Sequence, residues 1–319
     1  MAERSAEGER PARPPLPGPE EIVARLAALR PDPEDPAAVA RWMRLALLPH
    51  HAVVYGAPEV HAGLEALGIA DRFARYLAER SAPLGRVPAV VVTSTFFGFG
   101  PNAIAAHVPG VWDVTTPEDV LSATLEAMAE LLDRVLPSGP ERAAAERLGA
   151  ALAPIADDHP TAGRPLAAAW SSVPRTGDPL VDLWLAVTVV RESRGDGHLA
   201  VLVAEGVGPL EADLLTAGDD PRRRPALARW RAWREEDVAR VGESLRARGL
   251  LDADGRRTPE AVALRERIED RTDATCAAPW ARVGPDVVTA IADDALATAG
   301  PLIASGALLR PALAGLAAA

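Results

Sequence analysis

The sequence predicts a mainly α-helical protein made of two related helical halves, and three observations carry that prediction. Apolar residues make up 48% of the 319 residues and aromatic ones only 4%, so the core must rest on Ala, Leu and Val, a composition that favours helices. Apolar positions recur at spacings of three and four along most of the chain. Two landmarks repeat at one offset: Trp42 and Trp184, and the "TPE" motifs that begin at Thr116 and Thr258, are each 142 residues apart, as a duplication would leave them. His51 and His198 look like a further pair, but their offset of 147 fits only with an insertion that is later cancelled.

Residues 1–36 read as a disordered extension, rich in Pro and charge and without the apolar stretch of a signal peptide. Val39, Trp42, Met43, Ala46 and Leu47 then mark one face of a helix that Pro49 ends. Residues 59–80 read as another helix, broken near "SAPLG". "VPAVVVTSTFF", from Val87, suits a strand or a buried helix; Pro88 and the following "GFGPNAIAAHV" favour helix, turn, helix. Thr116 as cap, Pro117 at the first position and Glu118 and Asp119 at the positive dipole end open the clearest helix of the chain. An N-terminal helical domain over 37–136 follows from these elements. Residues 137–178 read as a connecting helix with loops, and 179–319 as a C-terminal domain with a helical tail.

In the second half the apolar run "LVDLWLAVTVV" reads as a buried helix that the polar cluster "RESRGDGHLA", residues 191–200, brings to an end. From Glu235 a helix on Val238, Val241 and Leu245 stops at Gly249, "DADG" turns the chain, and a "TPE" cap starts the next helix. Helix, Gly, short hairpin, helix is the layout of a winged helix-turn-helix. "LRARGLLDADGRRTPEAVALRERIE" accordingly resembles the recognition helix, β-hairpin wing and dimer-helix entry of MarR-type regulators. Between Trp42 and Trp280, the blocks "HHAVVYGAPE", "ERSAPLGRVPAVVVTSTFFGF", "RESRGDGHLAVL" and "RTDATCAAPW" together resemble a helix-turn-helix-related family of actinobacterial proteins. That resemblance implies a fold and no reaction.

The formal charge of −11, with Arg as the sole basic residue besides His, weighs against nucleic acid, whose phosphates attract proteins mainly by charge. Between Arg229 and Arg271 eleven Arg face ten Asp or Glu, although Arg240, Arg246, Arg248, Arg256 and Arg257 could still form a local stripe. No run approaches about 18 uninterrupted apolar residues, so the chain is expected to be cytoplasmic and free of membrane spans. Its oligomeric state is open between a pseudo-dimeric monomer and a homodimer. Cys276, alone in an apolar setting, reads as a buried inert thiol.

The polar cluster is the chief candidate for chemistry. Arg191 follows Trp184 by seven residues and Val187 by four, so it shares their buried face and must find an acid or an anionic ligand there. One reading is a structural ion pair with Asp196 or Glu192 that closes the helix. The preferred one is the floor of a pocket between the halves, and hence a small-molecule-binding protein or an enzyme of specialised metabolism. In that pocket Arg191 anchors an anionic or carbonyl group, Asp196 orients Arg191 or His198, and Arg194 faces the opening. His198 or His51 serves as acid–base, Tyr55 donates a hydrogen bond, and Trp184, Glu59 and Phe97 complete the walls. Phe96, Phe97 and Phe99 are three of the four phenylalanines, fit for core or for a cavity wall. The rival reading is a ligand-responsive MarR-like transcription regulator.

No cofactor follows from these residues. His51, Glu59 and His198 suit iron, zinc or haem only if folding gathers them, for no HxxH, HExxH or CxxC spacing is present. "GFGPN" lacks the length and the Lys of a phosphate loop and reads as a turn. His50, His61, His107 and His159 show no companion pattern and read as surface or capping residues.

Overall fold

Proline sets most of the helix starts, since its fixed φ suits the first turn and its missing N–H leaves no donor unpaired there. The computed structural model describes residues 16–216 and 228–317. The first half holds α1 (Pro19–Ala28), α2 (Pro36–Ala46), α3 (Leu48–Ala52), α4 (Pro58–Ala66), α5 (Arg72–Ser81), α6 (Ala89–Phe96), α7 (Pro101–Ala105) and α8 (Pro117–Val135). Then come α9 (Pro140–Asp157), α10 (Pro165–Ser171), α11 (Pro179–Ala204), α12 (Pro209–Thr216), α13 (Glu235–Ala247), α14 (Pro259–Ala281), α15 (Pro285–Ala304) and α16 (Arg310–Ala317). The mainly α expectation holds.

The axis of the fold is α11, against which α9, α10, α14, α3 and α8 pack. Its residues from Leu183 to Val190 are buried on every side, which is why they show no amphipathic period. A second, smaller core lies at the far end of α11, where Val201 and Leu202 meet Leu210 and Leu214 of α12, Leu245 of α13 and Leu264 of α14.

Several expectations change. Residues 19–28, assigned to the disordered extension, form α1, which buries Ile22 and Leu26 and receives the Trp42 indole N–H on the Leu26 carbonyl at 2.8 Å; the start of that extension lies outside the described residues. The helix read over 59–80 is two helices, α4 and α5, parted at Gly68, whose φ of +88° only glycine adopts freely. No strand forms among the described residues. The expected hairpin wing is reduced to one antiparallel bridge, Leu251 to Arg257, because the turn at 252–255 leaves room for no further pairing before α14 begins. α15 is long and apolar enough to cross a membrane, a property the C-terminal sequence did not suggest; within the fold Val288, Ile291, Ala295 and Leu302 of this helix are core residues.

The largest correction concerns residues 191–200, which do not end a helix. α11 continues to Ala204 through both Gly195 and Gly197. A glycine inside a helix costs about 1 kcal/mol relative to Ala, and at Gly197 packing explains it. A Cβ there would lie 2.6 Å from the Thr275 hydroxyl and 2.7 Å from the Arg164 guanidinium. The helix keeps its polar stretch because each side chain has a different neighbour to meet.

The two "TPE" motifs do the same local work. Thr116 accepts the Asp119 N–H at the start of α8, and Thr258 accepts the Ala261 N–H at the start of α14. Thr116→Ala and Thr258→Ala are each expected to cost about 1 kcal/mol and Thr→Ser almost nothing, by urea denaturation.

Candidate functional site

A cavity of about 280 Å³ lies between α4 and α5. Three aromatic rings, Tyr55, Phe73 and Tyr76, and the aliphatic Val60 and Leu64 line it. The amphipathic pattern of α5 places Phe73, Tyr76, Leu77 and Arg80 on the inward side. Trp230 and Leu309, distant in sequence, complete the wall. Two glycines let those segments approach: a Cβ on Gly56 would lie 2.3 Å from the Ala307 carbonyl oxygen, and one on Gly100 would lie 2.4 Å from that of Ala232. Gly100 also donates its N–H to the Arg231 carbonyl at 2.8 Å. Asp71 and Arg72 are exposed at the mouth, with His61 and Arg75 also lining it.

Glu79 is the polar end of this space. It is 3% exposed, and its Oε2 has no hydrogen-bond partner. Burial pushes its carboxyl up to about 8, although Arg80 opposes the shift, so Glu79 is mainly a neutral acid and a donor at pH 7.

Behind Tyr55 a chain of hydrogen bonds runs into the core. The Tyr55 hydroxyl and His51 Nε2 are 2.8 Å apart, and His51 Nδ1 and the Thr188 hydroxyl 3.1 Å. Thr188 donates its only O–H proton to the Trp184 carbonyl at 2.8 Å, so it accepts from His51 Nδ1–H. Burial, reinforced by Arg191, holds His51 well below its ordinary range, and the neutral ring has then only Nε2 left to accept. Tyr55 must therefore donate to His51. The oxygen that faces the cavity is an acceptor, contrary to the expectation that Tyr55 gives a hydrogen bond to a ligand.

Beside this chain lies a buried ion cluster. Arg80 donates to both oxygens of Glu192, at 3.3 and 3.0 Å, and stacks on Phe96 with its guanidinium carbon 4.4 Å from the ring centroid. Arg191 pairs with Glu192 as well. Burial opposes ionisation of Glu192, yet Arg191 and Arg80 outweigh it and hold the carboxyl down at about 2. The acid that Arg191 needed is Glu192, and Asp196 serves elsewhere: it accepts the Leu166 and Ala167 N–H groups at 3.0 and 2.9 Å and caps α10.

Of the residues singled out in the sequence, the fold brings Tyr55, His51 and Arg191 to one region. His198 bonds Thr272 at 3.0 Å on α14, and Arg194 meets Glu269 and Asp273 on the same helix. Glu59 starts α4 and pairs with Arg134 at 2.7 Å, since Pro58 interrupts the helix that would have kept it under His51. Trp184 packs edge-on against Trp170 in the core. Phe97, at a φ of +54°, turns from the cavity to the second core, whereas Phe96 and Phe99 join Tyr76 in the aromatic cluster. His51, Glu59 and His198 thus have separate partners, and among the described residues no group of three His, Cys, Asp or Glu could hold a metal. His50 and His159 are buried, not superficial, on Thr298 at 2.6 Å and Ser193 at 2.9 Å. Cys276 is buried as expected.

Glu79, Arg80 and Tyr76 were missed. Their signal is present in "DRFARYLAERS", where a glutamate and an arginine stand among inward positions of a helix.

Around α13 acidic residues and arginines are interleaved and paired. The first turn of α13 carries Glu235, Glu236 and Asp237. Arg234 and Arg240 both pair with Asp237, Arg248 pairs with Glu211, and Arg256 with Asp254.

Comparison with known families matches residues 40–309 to a helix-turn-helix family. No curated protein and no solved structure matches the chain.

Proposed function

Because the chain belongs to the helix-turn-helix family whose pattern spans its residues 40–309, we propose that it uses this scaffold to hold a small organic molecule between α4 and α5 and not to read DNA. The observation that carries this reading is Glu79, a buried carboxyl with an oxygen left without partner at the end of an aromatic-walled cavity. Such a group costs stability unless something binds it. The groups that could exchange protons with a bound molecule are Glu79 and Tyr55, with His51 behind, so an enzymatic role would rest on them and not on His198 or Asp196.

A ligand-responsive regulator of MarR type is the second reading, favoured by the helix, turn, bridge, helix order of α13 and α14 over the smaller core. One pair of experiments separates the two. The neutral dye N-phenyl-1-naphthylamine is expected to bind the protein with enhanced fluorescence, and Val60→Trp, which fills the cavity, to abolish that signal while the protein stays folded. Equal binding by both proteins would sink the ligand reading. DNA duplexes are expected to show no salt-sensitive affinity; a specific complex tighter than about micromolar at physiological salt would restore the regulator.

A further inference from the structure

We infer that the cavity selects a neutral, apolar, ring-bearing alcohol, whose hydroxyl oxygen accepts from the Glu79 carboxyl and whose O–H donates to the Tyr55 oxygen. The inference rests on the cavity being the ligand site and adds the chemistry of the ligand. Both residues line the same cavity and have complementary needs. Glu79 offers a buried carboxyl with an oxygen that lacks a partner. Tyr55 offers an acceptor, because its own proton is committed to His51 and the chain of bonds through Thr188 fixes that direction. A hydroxyl supplies one acceptor and one donor, and so satisfies both. The remaining wall of Phe73, Tyr76, Leu64 and Trp230 takes rings, and the volume is at the lower end for small-molecule sites, near what two fused rings fill.

The surrounding charge argues against the obvious competitor, an organic ammonium held by a carboxylate under aromatic rings. Arg80 on α5 and Arg191 on α11 face this region against Glu192 alone, a local excess of one positive charge while Glu79 is neutral. At the mouth Arg72 and Arg75 are balanced by Asp71 and by Glu65, which pairs with Arg75 at 3.4 Å. His61 from α4 and His51 from α3 are both held below their usual range, chiefly by burial, and add no positive charge at neutral pH. The Tyr76 hydroxyl accepts from Arg80 at 3.3 Å. A cation would enter a positive field and would first have to ionise Glu79.

Three naphthalenes of one shape test this: 2-naphthalenemethanol, 2-ethylnaphthalene and 2-naphthylmethylamine, titrated calorimetrically into the full chain. The alcohol is expected to bind about fivefold or more tightly than the hydrocarbon at pH 7, the worth of a net hydrogen bond. Its affinity is expected to fall about tenfold between pH 7 and pH 9, as Glu79 loses the proton it donates. Glu79→Gln, which keeps a donor and cannot titrate, should bind the alcohol with no such fall, and Tyr55→Phe should erase most of its advantage over the hydrocarbon. The wild-type pH profile stands as a test even if either variant fails to fold. Equal affinity for alcohol and hydrocarbon, or tighter binding of the amine that strengthens from pH 7 to 8, would overturn the inference and leave the cavity a ligand site. Binding of none of the three would overturn the cavity reading and the inference with it.

Discussion

Glu192→Leu is expected to destabilise the protein by about 3–5 kcal/mol, the cost of leaving buried charges without their counter-ion. The carboxylate accepts from Nε and Nη2 of Arg80 and pairs with Arg191, and Arg80 is too enclosed to recover water. Arg80→Met combined with Glu192→Leu should recover much of the loss, because only the partly exposed Arg191 then lacks its partner and it can turn to solvent. Asp196→Asn should give no such rescue, since Asp196 holds the start of α10 and not Arg191. Urea melts of the single and double variants measure this. The pH dependence has a definite sign. The folded carboxyl titrates at about 2, below the ordinary value of 4.5, so its stabilisation is present above pH 4.5 and fades as pH falls toward 2. Glu192→Leu should flatten the acid limb of the stability curve. A loss under 1 kcal/mol would mean that the cluster is solvated and does not support the cavity.

Glu79→Gln is expected to act in the opposite direction and raise stability at pH 8 by about 4 kcal/mol. In the unfolded chain Glu79 is ionised well below pH 7, whereas the fold holds it neutral up to about 8. Folding must therefore take up a proton against the solution, a penalty absent below pH 4.5 that grows up to about pH 8. Gln is nearly isosteric and carries no such penalty. Thermal melting at pH 5 and at pH 8 distinguishes this from a packing effect: the gain should be small at pH 5 and large at pH 8. A pH-independent change would show that the carboxyl is not held neutral. A residue whose removal stabilises the protein is one retained for a purpose other than folding.

The fold was legible where local chemistry decides it. Thr116 with Pro117 announced α8, and Thr258 with Pro259 announced α14, because a cap and a first-turn proline need no tertiary partner. The stripe of Val39, Trp42 and Met43 likewise announced α2. The reading failed where tertiary contacts override propensity. Gly195 and Gly197 signal a helix stop, yet Arg164 and Thr275 pack so closely on Gly197 that the helix continues. The site was half legible. Tyr55 and His51 are four residues apart in sequence and touch in space. Arg191 was expected to find an acid, Asp196 or Glu192, or an anionic ligand; it pairs with Glu192, and the second arginine on that carboxylate comes from α5, a partner that no local spacing reveals. Glu59 and His198 shared only residue type with the site.

The close approach of Gly56 to Ala307 and of Gly100 to Ala232 has a bearing on the order in which the molecule assembles. Residues 42–192 hold the polar groups of the cavity, but Trp230 and Leu309 close it. The core includes Val288 and Leu302 of α15 and Ala307 and Leu308, so during synthesis the cavity stays an open groove until these last residues are made and dock. A bound molecule then favours that late docking by mass action. It would protect the 305–309 segment from proteases more than it protects α11, so nicking near Ser305 would serve as a clock for occupancy.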